Sequence, residues 1–273
     1  MRTLVQLSDL HFGAIDEELL EPLRSAVAAV APNLVVVSGD LTQRARPGEF
    51  RAARAFLDSL PYPRLAVPGN HDVPLYAVSQ RLLSPLRRYR RHFAPEVETS
   101  FVDEEIAVVG VNTARSLVIK AGRINEEQVR RALSIFRAAP RGATRIVVTH
   151  HPLELPSLWR EHKQLAGRAA MALETLAECA DVYLSGHLHR THSGQAESFA
   201  EARRGAPLIV AAGTATSTRG RGETNSFNVL RIRRGEIEVE HFCWDERSRE
   251  FGGAGARAFR RMPGGGWQPV AQG

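Results

Sequence analysis

Short apolar runs recur along the chain, and each ends abruptly in a polar cluster. Leu4-Val5-Gln6-Leu7, Leu34-Val35-Val36-Val37, Leu65-Ala66-Val67, Ile146-Val147-Val148 and Val182-Tyr183-Leu184 are rich in β-branched residues. Runs this short cannot complete an amphipathic helix, so they predict buried strands. Between them the apolar spacing changes to three and four. Over 17–30, Leu19, Leu20, Leu23, Val27 and Val30 form one stripe, and 49–60, 126–139 and 164–179 repeat the pattern. These segments predict helices lying on a sheet. The strand ends at Asp9, Asp40 and Asn70 follow one another at about the length of a βαβ unit. Right-handed crossovers would line them along one edge of a mostly parallel sheet.

Beyond His189 the pattern shifts to strands at 207–212, 227–232 and 236–240, the last two joined by a turn at Arg233-Arg234-Gly235. These predict an antiparallel second sheet. The expected fold class is α/β: a four-layer α-β-β-α sandwich, two mixed sheets flanked by helices. From Gly252 the composition turns to Gly, Ala and Arg with Pro263 and Gly264-Gly265-Gly266, predicting one domain over 1–251 and a flexible tail over 252–273. No linker or internal repeat divides the rest.

Composition narrows the class. At 273 residues the chain is long enough to bury a substantial core. Cys179 and Cys243 are too few for a disulfide framework and read as small, mostly apolar packing residues. The apolar start is interrupted by Asp9, which excludes a secretory signal, and no run reaches spanning length, so a cytoplasmic enzyme is the simplest expectation. The net charge of +6 suits an anionic substrate. Support for nucleic acid is weak: lysine occurs only at 120 and 163, a general arginine bias, and the basic stretch 87–93 reads as a solvated helix face. Nothing in the sequence specifies an oligomeric state. His92, His162, His192 and His241 stand outside any motif and read as structural.

The chemistry lies at the strand ends. Asp9-Leu10-His11, Gly39-Asp40, Gly69-Asn70-His71-Asp72, His150-His151 and Gly186-His187-Leu188-His189 each directly follow a predicted strand. Loops leaving strand ends are where a rigid scaffold holds catalytic groups. Carboxylates suit hard cations and imidazoles suit Fe, Mn and Zn, so a mixed set selects transition metals. Asp9, His11, Asp40, Asn70, His150, His187 and His189 exceed the needs of one ion. A carboxylate can bridge two ions, and Asp40 stands centrally. Two ions about 3.5–4 Å apart can bind a hydroxide and polarise a phosphoryl oxygen. Gly39, Gly69 and Gly186 fit tight turns before these groups.

The ordered set D-x-H, G-D, G-N-H-D, H and G-H-x-H resembles the calcineurin-like metallophosphoesterase superfamily, over residue 3 to about 192 and more loosely through the C-terminal strands. The resemblance implies Asp9, His11, Asp40 and His189 around one metal, and Asp40, Asn70, His150 and His187 around the other. It places His71 beside the substrate phosphate, as transition-state stabiliser or proton donor, with Asp72 orienting its ring. It favours His150 over His151, which reads as a neighbour. Two divalent ions, Mn and/or Fe with Zn as a third candidate, are the implied cofactors. Arg219 and Arg221, after Ala211-Ala212-Gly213, are the only further cations the sequence places near the site, joining Asn70 and His71 as candidate substrate contacts. The segment 73–93 is a candidate cap.

The Asp9-Leu10-His11 start and the Gly69–Pro74 run are most similar to class III cyclic-nucleotide phosphodiesterases. The expected function is hydrolysis of cyclic nucleotides or related small phosphodiesters by metal-bound hydroxide. Phosphomonoesterase, nuclease, glycerophosphodiesterase and nucleotide-sugar pyrophosphatase are the alternatives within the superfamily. A non-catalytic scaffold is the remote one, because such scaffolds lose ligands and none is missing here.

Overall fold

Strand β1 (Arg2–Leu7) sits inside a seven-stranded sheet, parallel to β2 (Leu34–Ser38), which is parallel to β3 (Arg64–Val67). The computed structural model describes residues 1–157, 159, 165–177, 179–197, 206–219 and 222–270. On its other edge β1 pairs antiparallel with β10 (Ser226–Arg233), and β11 (Glu236–Asp245), β12 (Glu250–Arg261) and β13 (Trp267–Pro269) continue the sheet outward. The second sheet has a parallel centre of β5 (Ile106–Gly110), β6 (Thr144–Val148), β7 (Val182–Ser185) and β9 (Leu208–Ala211). Its antiparallel edges are β4 (Ser100–Val102) and β8 (His192–Gln195).

Two corrections to the predicted topology follow. The hairpin of β10 and β11 belongs to the first sheet, beside β1, while β9 joins the second sheet in parallel with β7. Local patterning identifies a strand but carries no information about its partner. The predicted tail over 252–273 is instead largely strand: β12 and β13 complete the first sheet, with Phe259 and Trp267 buried at 1% exposure; 271–273 lie outside the described residues. Glycine and alanine suit the mostly exposed face of β12 but read as loop in isolation.

Helices cover both outer faces. A 3₁₀ turn (Glu17–Leu19), α1 (Leu20–Val30) and α2 (Pro47–Asp58) supply Leu19, Leu23, Val27, Phe50 and Phe56 to a cluster with Val5 and Leu7 of β1. On the opposite side, α5 (Glu126–Ala138) and α6 (Ala169–Leu176) bring Val129, Phe136, Ala172 and Leu176 against Val147 and Tyr183. Helix α5 starts where it does because Asn125 and Gln128 cap one another, each side chain accepting from the other's backbone N–H at 2.9 Å. The helix predicted over 164–179 is shorter, since Gly167 bonds back to Gly122 as isolated bridging backbone; Gln164 and residue 178 lie outside the described residues. The inner faces of the two sheets share a third cluster, in which Leu4, Val36 and Leu230 meet Ile146, Leu184 and Val210. The architecture is thus the expected four-layer sandwich. Segment 73–93 forms two short helices, α3 (Val78–Leu83) and α4 (Arg87–His92).

Gln6, fully buried, interrupts the inter-sheet core. Gln6 donates to Ser38 Oγ (3.2 Å) and to the Ser185 carbonyl (3.0 Å) of the other sheet, and accepts from Asn228 Nδ2 (3.0 Å). It joins the two sheets directly beneath the strand ends. Among the described residues no helix is long and apolar enough to cross a membrane.

Trp267 separates an integral C-terminus from a loose one. Replacing it by Ala should lower stability by about 3–5 kcal/mol, the usual cost of emptying a large aromatic site, read as a shift of the urea midpoint. An unchanged midpoint would mean that 263–270 do not pack on the domain.

Candidate metal centre

Five residues at the strand ends adopt the left-handed conformation: Asp9 (φ 51°), His11 (52°), Asp40 (52°), His187 (72°) and His189 (56°). For residues with a Cβ this is uncommon and strained. The turn drives each side chain back toward one point between the two sheets. The first sheet contributes Asp9, His11, Asp40, Asn70 and His71; the second contributes His150, His187 and His189. Gly69 permits the closest approach, since a Cβ there would overlap the Asp40 carboxylate. At Gly39, with φ of +93°, a Cβ would lie 2.5 Å from the His150 ring.

The atoms converge as two overlapping groups. Asp9 commits Oδ2 to Ser8 Oγ–H (2.6 Å) and the His187 N–H (2.9 Å), leaving Oδ1 inward with no hydrogen bond. That Oδ1 faces His189 Nε2 at 3.2 Å and His11 Nε2 at 3.6 Å, and the two imidazole nitrogens lie 3.1 Å apart. Across the cluster, His150 Nε2 stands 3.2 Å from both Asn70 Oδ1 and His187 Nδ1. Asp40 Oδ2 lies between the groups, 3.7 Å from His11 Nε2 and 3.4 Å from His150 Nε2. Its Oδ1 is occupied by the His71 N–H at 2.8 Å.

Backbone carbonyls fix the imidazoles. His150 Nδ1–H donates to Ser38 O (2.9 Å) and His189 Nδ1–H to Arg219 O (3.0 Å), which turns both Nε2 lone pairs inward. Asp9 and Asp40 are buried at 0% and 1% exposure. Burial pushes both carboxyls up, but the neighbouring imidazoles, His189 and His11 beside Asp9 and His150 and His11 beside Asp40, hold both well below the usual range. Burial pulls His150 down and Asp40 overrides it, raising His150 to about 9. Lone pairs and carboxylate oxygens that converge without donors, and that demand positive charge, are the donor chemistry of bound cations. Among the described residues Asp9–His11–His189, Asp9–Asp40–His150, His11–Asp40–His71 and His150–His151–His187 each bring their ligand atoms within 4.8 Å of one another.

The structure separates the paired histidines. His151 uses both ring nitrogens, Nδ1 accepting from Thr113 Oγ1 (2.8 Å) and Nε2–H donating to Lys120 O (3.0 Å), so it is bonded where His150 is open. Asp72 departs from its expected role. Its carboxylate accepts from Leu41 N, Thr42 N, Thr42 Oγ1 and Gly69 N, at 2.8–3.2 Å, and does not hold the His71 ring. Burial and the charge of Asp40 raise Asp72 to about 6. The Gln43 carbonyl orients His71 instead, accepting from Nδ1–H at 2.8 Å. Arg219 Nη1 reaches His71 Nε2 at 3.3 Å; Arg221, the other cation expected here, lies outside the described residues, as do His162 and Lys163.

Beside His71 opens a cavity of about 230 Å³, lined by Asn70, His71 and Arg219 and by three cations that the sequence reading missed: Arg44, Arg81 and Lys120. Arg44 follows the Gly39-Asp40 loop closely enough to have been suspected, and Lys120 is one of two lysines among 36 basic residues. Arg81 carried no signal, because only the path of α3 brings it to the cavity.

The comparisons with known proteins agree with this geometry. A family described as calcineurin-like phosphoesterase matches residues 2–191. The glycerophosphodiester phosphodiesterase GpdQ of Enterobacter lignolyticus is 54% identical over 41 residues, a match spanning 15% of this chain and 15% of that protein. The 3′,5′-cyclic adenosine monophosphate phosphodiesterase CpdA of Escherichia coli (strain K12) is 26% identical over 204 residues, 68% of this chain and 69% of that one. A dimetal phosphatase from Danio rerio superposes with TM-score 0.65 at 13% identity, over 88% of this chain and 95% of its own. The purple acid phosphatase PPD1 from yellow lupin seeds gives 0.72 at 10% identity, over 96% and 54%; both likenesses bear on the fold. The family match takes in every strand-end motif from Asp9 to His189, and the chain belongs to the calcineurin-like phosphoesterase family, a family of metal-dependent hydrolases.

Proposed function

We propose that this chain is a dinuclear phosphodiesterase of small phosphodiesters. The observation that carries the reading is the position of Asp40 Oδ2, between the Asp9–His11–His189 group and the Asn70–His150–His187 group. Asp9, His11, Asp40 and His189 would hold one ion, and Asp40, Asn70, His150 and His187 the other, with Mn or Fe favoured by the mixed oxygen and imidazole set and Zn compatible with it. Such ions supply Lewis-acid polarisation of the phosphoryl oxygens and a water of lowered pKa.

The remaining chemistry belongs to the chain. His71, fixed through Nδ1, presents Nε2 to the cavity, where it stabilises charge on the departing oxygen or delivers a proton to it. Arg219 adds a fixed positive charge at the same place. Asp72 holds the loops of Asp40 and Asn70 in register, a positioning role. The preference for a diester draws support from relatives named as phosphodiesterases, GpdQ for glycerophosphodiesters and CpdA for 3′,5′-cyclic adenosine monophosphate. Cyclic nucleotides are therefore among the substrates to test.

Protein reconstituted with Mn or Fe should bind about two ions per chain by elemental analysis. Asp40→Ala should lose both ions and nearly all turnover, while His71→Ala should keep the ions and lose about 10²- to 10⁴-fold in kcat. Loss of metal in His71→Ala, or wild-type turnover, would remove His71 from its role.

For substrate class, kcat/KM for bis(p-nitrophenyl) phosphate should exceed that for p-nitrophenyl phosphate under one metal condition, with 3′,5′-cyclic AMP as the third substrate. A monoester preference of about tenfold or more, roughly 1.4 kcal/mol, would make the chain a phosphatase.

A further inference from the structure

The cavity beside His71 carries charge that the hydrolysis of a simple diester does not need. Arg44, Arg81, Lys120 and Arg219 line it, and among the described residues no carboxylate does. Arg54, Arg64, Arg131 and Arg231, by contrast, each pair with Asp or Glu. Among the described residues none of the four cavity cations makes such a pair. Arg81 is held in place by carbonyls, Nη1 donating to Pro74 O (3.1 Å) and Nη2 to Val118 O (2.8 Å). Arg44 lies over the Tyr76 ring at 5.7 Å, and Arg219 reaches His71. Four like charges around one concavity repel one another, and an anion in the middle relieves that repulsion.

We infer that the cavity receives a second phosphate, carried on the leaving portion of the substrate. The inference rests on the phosphodiesterase reading and narrows it. His71 Nε2 faces the same cavity, so the group that departs past His71 is the group that meets these cations. In the reaction, water oxygen bonds to phosphorus as the P–O bond to the leaving oxygen breaks. The leaving oxygen keeps the electron pair and takes up a proton. The products are a phosphomonoester and an alcohol that itself bears a phosphate. A substrate with a single negative charge, such as 3′,5′-cyclic AMP, leaves the cavity cations uncompensated.

Three dinucleotides test this in metal-loaded enzyme: TpT, pTpT and TpTp, which differ only in whether and where a terminal phosphate is attached. At low ionic strength one phosphorylated isomer should exceed TpT in kcat/KM by about tenfold or more, the low end of what a cleft of single-sign charge provides. That ratio should shrink as salt rises from about 0.02 to 0.5 M. It should fall toward one in an Arg44→Gln, Lys120→Gln double variant and persist in Arg44→Lys, Lys120→Arg. Calorimetric binding of thymidine 3′,5′-bisphosphate against thymidine 3′-monophosphate reads the same preference without turnover. Both isomers within about twofold of TpT, equal binding of the two mononucleotides, or a preference that survives the Gln variant would each overturn the inference. Failure to hydrolyse bis(p-nitrophenyl) phosphate would instead overturn the phosphodiesterase reading, with the binding comparison still deciding the cavity.

Discussion

The carboxylate of Asp40 is the constraint on which the rest of the molecule depends. It is almost fully buried together with that of Asp9. Unpaired, each such charge would cost several kcal/mol. The fold compensates by surrounding the pair with imidazoles whose orientation is set from behind by backbone carbonyls. It also accepts backbone strain. Five left-handed residues at about 1–2 kcal/mol each are sustained by cross-strand bonds, among them Asp9 N–H to Gly39 O, His11 N–H to Asp40 O, and the Thr214 and Thr216 hydroxyls to the Asp9 and Leu10 carbonyls. Asp72 completes this scaffold by tying the loop after β2 to the loop after β3.

A two-sheet sandwich suits such a centre because each sheet presents the carboxyl ends of its parallel strands at the same end. The first sheet supplies mainly carboxylates and the asparagine, the second mainly imidazoles. Neither half could bind a pair of ions alone. Their relative placement is held by the apolar inter-sheet cluster and by Gln6, whose bond to the Ser185 carbonyl spans the gap. A glutamine within an otherwise apolar strand is costly unless its hydrogen bonds are met, and here they are.

Charge is arranged in shells. Buried carboxylates lie at the centre and imidazoles surround them. Beyond His71 stand guanidinium and ammonium groups, with no carboxylate among the described residues that line the cavity. The inner shells suit cations and the outer one suits an anionic substrate, so one site favours both partners of a metal-assisted phosphoryl transfer without placing like charges in contact.

The sequence by itself identified most of the strands before the C-terminus and the strand-end residues that the fold brings together, because strand periodicity and the strand-end motifs are local, and each motif residue sits where its own strand stops. Asp9, Asp40 and Asn70 could be placed on one sheet edge from their spacing alone. Only the tertiary structure decided what depends on distant pairing. It assigned the β10–β11 hairpin to the first sheet and drew Gly-rich β12 and β13 into that sheet through buried Phe259 and Trp267. It also gave the His71 ring to the Gln43 carbonyl rather than to Asp72, and brought Arg81 and Lys120 to a common cavity. Backbone carbonyls have no sequence signature, and a cation's partner is set by the path of the chain between elements. For that reason the strand-end cluster was legible in the sequence, and most of the cationic lining of the cavity beside it was not.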